Sequence, residues 1–325
     1  MPTRELPRRP DLDQYRKQAK ELVRFRRIAN PASGSDARNL TRLFKLIQQY
    51  HPKFRHKPEA EISTVPFTLS DAQLIIAREH GFASWPQFAH EIEARRSSVE
   101  AQENPEKAFL RAACVPRDDW HVSGTIDAAE AILKQRSEVA NSSIYCAAVL
   151  GDDKAIGKFL QGDPPSATTR GGVYAWDPLT YLCFSRYLRV YRKDQTRAEA
   201  FARTARLLLE AGASADTGWF ESNNEPVPFW EPAIYGAAGI AQHAEVTQVL
   251  LEYGADPNDE ETPYHVAETR DLTVLKVLLE SGKLNERSKT TLLLRKADWH
   301  DLEGMKMLFG HGADAHRGTT GGIQR

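Results

Sequence analysis

The sequence predicts an all-α protein in which a small helical domain precedes a helical solenoid. Three observations predict this class. Apolar residues recur at helical spacing in the first hundred residues, and a segment of apolar helix, glycine and polar loop recurs every 28 to 42 residues further on. The charge also changes sign, since residues 1–60 carry 15 Lys and Arg against 6 Asp and Glu, whereas the remainder carries 28 against 38. This asymmetry indicates two parts with different surfaces.

The 325 residues suffice for two domains or for one solenoid. The three cysteines, Cys114, Cys146 and Cys183, are odd in number and form no close pair, which disfavours a disulfide framework or a zinc cluster. The N-terminus lacks the apolar core of a signal peptide, and no apolar run approaches the ~20 residues needed to span a bilayer. We therefore expect a cytoplasmic protein that has no membrane partner.

Residues 1–100 are predicted to form the small helical domain. Its first two helices each carry an apolar stripe. The stripes consist of Tyr15, Ala19, Leu22, Val23 and Ile28, and of Leu40, Leu43, Phe44 and Ile47. Two more helices are predicted to begin at capping boxes, Ser70 with Gln73 and Ser84 with Gln87, and the first of them to end at Gly81. The polar stretch 95–106 is expected to join this domain to the next.

An apolar helix followed by a glycine and a polar loop recurs four times in the rest of the chain. The glycines are Gly212, Gly254, Gly282 and Gly312, which are 42, 28 and 30 residues apart. A second signal precedes them, reading DPLTYLC from Asp177, EPAIYGAA from Glu231, TPYHVAE from Thr262 and TLLLRKA from Thr291. Two helical segments in units of about 30 residues are typical of a solenoid, in which each unit packs on its neighbours.

The segment from Thr262 shows how one unit is expected to begin and end. Thr262 is predicted to cap the first helix, with Pro263 at the first helical position. His265, one turn later, is expected to hydrogen-bond to the Thr262 hydroxyl. Gly282 is expected to end the second helix in a left-handed conformation. We therefore interpret Thr262 and His265 as structural capping residues.

The segments TPYHVAE, HAEVTQVLLEYGADPN and ARLLLEAGASAD resemble the ankyrin repeat. The resemblance covers residues 105–318 and suggests about six units, at roughly 105–140, 141–171, 172–218, 219–258, 259–287 and 288–318. The segment DAQLIIAREHGFASWPQFAHEIE is also similar to one that precedes ankyrin repeats in a group of bacterial proteins. The resemblance implies a non-catalytic scaffold or adaptor that binds a protein partner through a concave face and hairpin tips, without a cofactor.

The sequence departs from the repeat pattern in several places. The third unit has an insertion at 185–205, and the fourth opens with another at 218–232. The turn around His300 lacks the glycine that Gly151 supplies in the second unit, which costs about 1 kcal/mol if the backbone there is left-handed. Residues 319–325 are interpreted as a tail or the start of a truncated repeat, so we expect the last helix pair to present an uncapped apolar end.

The insertion at 218–232 holds four aromatic residues in a loop that should be polar: Trp219, Phe220, Phe229 and Trp230. Two interpretations stay open. The rings can cover an edge of the core, or they can be exposed anchors for a partner. On the second interpretation all four are candidate partner-binding residues.

The remaining motifs predict no catalytic, cofactor or metal site. The acids Asp256, Asp259, Glu260 and Glu261 lack the spacing of a calcium-binding loop, and the glycine-rich TTRGG and GTTGG lack the lysine of a phosphate-binding loop. His300 lies in a predicted turn. The cysteines lie in or next to small-residue positions of predicted inner helices, where packing explains them.

Two other classes of function stay open. A nucleic-acid-binding protein would use the basic residues within 8–27, or the basic stretch Arg186, Arg189, Arg192, Lys193 and Arg197, although no nucleic-acid-binding motif accompanies them. An enzyme would need a pocket with convergent titratable groups, and the N-terminal domain is where we would expect it.

Overall fold

The structure, a computed structural model, describes residues 4–7, 10–26, 34–55, 57–115, 124–221 and 229–316. Over these residues the chain is mostly helical, which confirms the predicted all-α class, and one two-stranded sheet is the exception. Contacts divide the chain into two compact units, residues 1–103 and 104–325. Each unit buries its own hydrophobic clusters.

The helices of the first unit are α1 (Leu12–Arg26), α2 (Gly34–Tyr50), α3 (Glu59–Ser63), α4 (Leu69–Glu79) and α5 (Trp85–Glu103), with a 3₁₀ turn at Pro52–Phe54 after α2. The predicted stripe of α1 is confirmed at Tyr15 and Ala19, which are buried, whereas Ile28 lies outside the described residues. The Tyr15 ring lies 5.0 Å from the ring of Phe88 in α5. Helix α2 buries Leu43, Phe44 and Ile47, as its stripe predicts.

The start of α4 corrects the capping box predicted at Ser70 and Gln73. The cap is Thr68, whose hydroxyl accepts a hydrogen bond from Asp71 N at 3.2 Å, while Asp71 Oδ2 accepts one from Thr68 N at 2.8 Å. The two pairs have the same spacing, but a helix that begins at Leu69 buries Ala72, Ile75 and Ile76. The predicted stop is confirmed, because Gly81 has φ of 89° directly after the helix.

The predicted joint at 95–106 contains the division between the two units, which falls after Glu103, although these residues are almost entirely helical. Helix α5 runs to Glu103 and α6 begins at Pro105, which leaves Asn104 between them. Asn104 Oδ1 accepts a hydrogen bond from Lys107 N at 3.1 Å and so caps α6. Polar composition indicated a linker, but a helix can be polar on every side where it does not pack.

The second unit alternates short helices with turns. Its helices are α6 (Pro105–Ala113), α7 (Asp127–Gln135), α8 (Ile144–Leu150), α9 (Asp153–Gly162), α10 (Pro178–Cys183), α11 (Arg186–Tyr191), α12 (Gln195–Glu210), α13 (Ala244–Glu252), α14 (Glu261–Val266), α15 (Thr273–Glu280), α16 (Glu286–Asp298) and α17 (Leu302–Gly310). A π-helix spans Tyr235–Ile240, and 3₁₀ turns span Ser137–Asn141 and Pro164–Ala167. Strands β1 (Gly218–Glu221) and β2 (Phe229–Pro232) pair antiparallel.

Helices of this unit contact one another in two series. In one series α6 contacts α8, which contacts α10, and the π-helix contacts α14, which contacts α16. In the other, α9 contacts α12, followed by α13, α15 and α17 in turn. Within each of these runs a helix packs beside the next one, and α6 with α7, α8 with α9, and α16 with α17 form pairs of consecutive helices.

The four recurring glycines all end helices in the left-handed region, as predicted for Gly282. Their φ values are 99° at Gly212, 105° at Gly254, 68° at Gly282 and 83° at Gly312. The amide that follows Gly212 reaches back to Leu208 O at 3.0 Å, and the amides after Gly254 and Gly312 do the same in their helices. These bonds satisfy carbonyls that a helix end leaves open.

Candidate functional site

The aromatic insertion forms an antiparallel ribbon rather than a loop. In its register Trp219 pairs with Glu231, Phe220 with Trp230, and Glu221 with Phe229. Successive side chains of a strand point to opposite faces, so the register divides these residues into two sets. Residues 222–228, which connect the strands, lie outside the described part of the chain.

Trp219 belongs to the core, which corrects its assignment as a candidate partner-binding residue. Its side chain is 3% exposed. Its ring centroid lies 5.3 Å from that of Trp176 and 5.7 Å from that of Phe184. The packing interpretation therefore holds for this residue, because the strand turns it toward the helices rather than toward solvent.

Phe220 and Trp230 lie on the opposite face of the ribbon. Phe220 is 58% exposed, Trp230 is half-buried, and their ring centroids are 4.7 Å apart. The Trp230 ring crosses over Gly218, where a Cβ atom would lie 2.9 Å from Trp230 Cζ2. Phe229 is also exposed, at 43%. We refer to the outward pair Phe220 and Trp230 as the aromatic pair.

The base of the ribbon is fixed to α10 by a buried acid. Asp177 Oδ1 accepts a hydrogen bond from Thr180 N at 2.9 Å, and Asp177 Oδ2 accepts bonds from the hydroxyls of Thr180 and Thr217. Arg170 Nη2 donates to Gly218 O at 3.1 Å. Because Thr217 and Gly218 lead directly into β1, these bonds hold the ribbon at its root. Arg170 of the glycine-rich TTRGG motif thus has a structural role.

Glu231 is a buried carboxyl group that the sequence analysis missed. It is 3% exposed, and Glu221 lies beside it, diagonally across the two strands. No described donor reaches Glu231 Oε2. A hydrogen bond between the carboxyl groups of Glu231 and Glu221 requires one of the two to be protonated, because a carboxylate has no hydrogen to donate. Burial, followed by the nearby Glu261 and Glu221 carboxylates, raises the pKa of Glu231 to about 9. The available sequence signal was an acid directly after two aromatic residues in each strand, Glu221 after Phe220 and Glu231 after Trp230.

The cap of α14 corrects the predicted bond between Thr262 and His265. Asp259 precedes the helix, and its carboxylate accepts bonds from Thr262 N at 2.6 Å and from the Thr262 hydroxyl at 2.7 Å. This is the arrangement that Asp177 and Thr180 make in α10. Burial raises the pKa of Asp259 to about 6, against the lowering effect of these bonds. Thr262 therefore takes part in the cap, but as a partner of Asp259.

His265 hydrogen-bonds to two glutamates instead. Its Nε2 lies 3.1 Å from Glu261 Oε2, and its Nδ1 lies 2.9 Å from Glu268 Oε2. Burial lowers the pKa of His265, but the bonds with these two carboxylates outweigh it and raise the pKa. Arg295 also contacts one of these glutamates, since its Nη2 lies 2.6 Å from Glu268 Oε1. His265 thus links α14 internally and contributes to a polar network that extends to α16.

The three cysteines are buried and free, in agreement with their interpretation as packing residues. Burial raises the pKa of Cys146 to about 11 and raises the pKa of Cys114 and Cys183 as well. A nucleophilic cysteine needs a lowered pKa and solvent access. Among the described residues, no three His, Cys, Asp or Glu side chains are grouped so that they could hold a metal ion.

Basic side chains of the stretch 186–197 form hydrogen bonds and ring contacts within the fold. Arg186 Nη1 donates to Ala112 O and Thr125 O, both at 3.1 Å. Arg197 lies 4.4 Å from the Tyr191 ring centroid and donates to Leu150 O. These side chains tie α11 and α12 to neighbouring helices, so a structural role accounts for them.

Some of the basic residues of the N-terminal segment have partners within the fold, and others lie outside the described residues. Arg16 pairs with Asp13 at 2.9 Å, and Arg26 donates to Ile62 O at 2.8 Å. Arg8, Arg9 and Arg27 lie outside the described residues, as do GTTGG and residues 319–325.

Comparison with models of protein families, with curated proteins and with solved structures found no match for this chain. The resemblance to the ankyrin repeat therefore stays an interpretation of the residues. Within the described part of the chain, no helix combines the length and apolar character required to cross a membrane.

Proposed function

We propose that this protein is a non-catalytic, cytoplasmic scaffold that binds a protein partner through an ankyrin-like solenoid in its second unit. Two features support the solenoid: paired helices contact one another in sequence order, and left-handed glycines recur at their ends. Ordered units of this kind present side chains on a preformed frame, so binding orders little additional chain.

The aromatic pair is the observation that carries the proposal of binding. Phe220 is 58% exposed although its neighbour Trp219 is 3% exposed, so the ribbon is anchored on one face and open on the other. Aromatic side chains supply large contact areas at little cost in conformational entropy, and they are enriched among the residues that dominate interface energies. A strand pair that holds two such rings 4.7 Å apart suits a partner with an apolar contact segment.

The charges near the ribbon favour a protein over a nucleic acid at this surface. Glu221, Glu261 and Glu268 are partly exposed and lie close to the ribbon or to Tyr235 behind it. A polyanion would be repelled here, because nucleic-acid affinity depends on cations that neutralise phosphates. A protein segment with Lys or Arg beside its apolar residues complements both features.

The test compares three tagged chains in affinity capture from a lysate of the source organism. These are the wild type, Phe220→Ser with Trp230→Ser, and Val190→Ser as a control at another apolar side chain, 50% exposed. A protein held by the wild type and the control should lose at least ~2 kcal/mol of affinity, about thirtyfold, for the double variant.

Trp219→Ala separates packing from binding in the same experiment. Because Trp219 is buried, its removal should lower the melting temperature, whereas the double variant of the aromatic pair should melt close to the wild type. The proposal is wrong if the proteins captured by the wild type bind the double variant equally well.

A further inference from the structure

An open pocket of about 250 Å³ lies in the first unit, where α2 ends and the following 3₁₀ turn approaches α4. It is lined by Gln49, Tyr50, His51, Pro52, Arg55 and Arg78. The first five belong to one short segment, and Arg78 comes from the last turn of α4. The fold thus brings two arginines from distant parts of the sequence to one recess.

Among the described residues, the two arginines of this pocket lack a carboxylate partner. Neither Arg55 nor Arg78 forms an ion pair with any described residue, and no acid lines the pocket. By contrast, Arg4 and Arg95 of the same unit pair with Glu79 and Glu91. Two positive side chains thus line one recess without a counter-charge among its lining residues, so an anion bound there would be attracted by both.

Arg78 is held in place with few hydrogen bonds of its own. Its Nη1 lies 3.5 Å from Tyr50 O, a long contact, and its Nε is buried without a partner among the described residues. A guanidinium group carries five N–H donors, and burial without acceptors costs free energy. Arg78 therefore retains donors for a ligand that brings several acceptor oxygens.

Asp71, which contacts His51 of the pocket lining, already has hydrogen-bond partners. Asp71 accepts bonds from Thr68 N, from the Thr68 hydroxyl and from His51 Nε2 at 3.0 Å. His51 Nδ1 accepts from Lys53 N, which leaves the ring hydrogen on Nε2 to donate to Asp71. Since Asp71 is tied to α4 and to the buried His51, it orients the wall of the pocket and does not neutralise the arginines by direct contact.

We propose that this pocket binds a phosphate-type oxyanion, either free or as the phosphoryl group of a small phosphomonoester. Guanidinium forks match the paired oxygens of a phosphate, and such charge-assisted bonds are stronger than neutral ones. Residues 1–103 carry 18 Lys and Arg against 13 Asp and Glu, and this positive balance attracts anions toward the unit. The inference does not depend on the protein-binding function proposed for the second unit.

The experiment titrates inorganic phosphate and glycerol phosphate separately into the full chain at low ionic strength, with calorimetry as the readout. The expected result is saturable binding of at least one of them to the wild type. Arg55→Gln and Arg78→Gln should each weaken it by about tenfold, because each removes charged hydrogen bonds. Arg16→Gln, at an exposed arginine that already pairs with Asp13, should leave it unchanged.

The two ligands distinguish the sources of the phosphate, because tighter binding of glycerol phosphate would indicate an esterified group. Arg55 is exposed, so Arg55→Gln keeps the test valid if Arg78→Gln fails to fold. Absence of saturable binding to the wild type, or equal affinity in the Arg55→Gln and Arg16→Gln chains, would overturn the proposal.

Discussion

His300 shows how a single backbone angle recurs in this fold. Its φ is 51°, and it occupies the turn between α16 and α17 that Gly151 (φ 65°) and Gln242 (φ 54°) occupy in two other pairs. The residue that follows each of them caps the next helix, as Asp301 does for Gly304 N at 3.0 Å. The turn geometry is therefore fixed, and a residue with a Cβ atom is strained there.

We predict that His300→Gly stabilises the protein by up to about 1 kcal/mol, because glycine adopts this conformation without strain. Urea unfolding of the two chains measures the difference. The matched control is Gln242→Gly, which relieves the same strain but removes hydrogen bonds from the Gln242 amide to Gly239 O and His265 O. That variant should be destabilised, and a loss of stability in His300→Gly as well would contradict the prediction.

A buried ion pair stabilises the same turn. Lys296 is fully buried, and its Nζ lies 2.8 Å from Asp301 Oδ2 and donates to Thr269 O. Hydrogen bonds from Lys296 and Gly304 outweigh burial and lower the pKa of Asp301. An ammonium group without its partner in such a place is expensive.

We predict that Asp301→Ala costs about 3–5 kcal/mol, because it leaves the Lys296 charge buried and unpaired and removes the cap of α17. Lys296→Met should cost less, since the helix cap survives. In the double variant the two losses should not add, because no buried ammonium remains. Additive losses in a denaturant-based double-mutant cycle would show that the two side chains are not coupled.

At the scale of the element, the ribbon joins an exposed aromatic face to a buried acidic one. Glu231 faces Glu221 on the partner strand and Asp259 and Glu261 near the start of α14. In the folded chain its carboxyl keeps a proton up to about pH 9, whereas the ordinary value is 4.5. Its contribution to stability is therefore complete below the lower value and is lost progressively as the pH rises toward the higher one.

We predict that Glu231→Gln is more stable than the wild type at pH 8 by more than about 1 kcal/mol, because an amide has no proton to lose. The advantage should vanish at about pH 3 and below, where the glutamate is neutral in both the folded and the unfolded state. Thermal melts across this range provide the measurement, with the exposed Glu303→Gln as control. Equal stability of Glu231→Gln and wild type at pH 8 would show that Glu231 is ionised in the fold.

The sequence predicted those features of the fold that depend on local backbone conformation. The left-handed glycines, the turn at His300 and the stripe of α1 follow from spacing and residue type, which act over one or two turns of helix. The sequence could not predict which face of the ribbon each aromatic residue occupies. Trp219 and Phe220 are adjacent in sequence and differ only in the side of the strand on which they lie, and the pairing with residues 229–232 determines that side. The Arg55 and Arg78 pocket likewise depends on how α4 packs.

At the scale of the molecule, exposed apolar side chains are concentrated at the last helix pair. Of the ten large apolar residues that are clearly exposed in the described part of the chain, four lie in or beside α16 and α17: Leu294, Trp299, Leu302 and Phe309. Leu302 and Phe309 are seven residues apart, which places them on one face of α17. The expectation of an uncapped apolar end stays a prediction, because residues 317–325 lie outside the described part of the chain.

We predict that the full chain self-associates or binds a hydrophobic dye through this face. Leu302 is 60% and Phe309 45% exposed, and contiguous exposed apolar surface favours association. Leu302→Ser with Phe309→Ser should reduce dye fluorescence and make the sedimentation coefficient independent of concentration, while Val190→Ser, on α11, should change neither. A wild-type chain that sediments as a monomer at all concentrations and leaves the dye dark would mean that other residues already cover the end of α17.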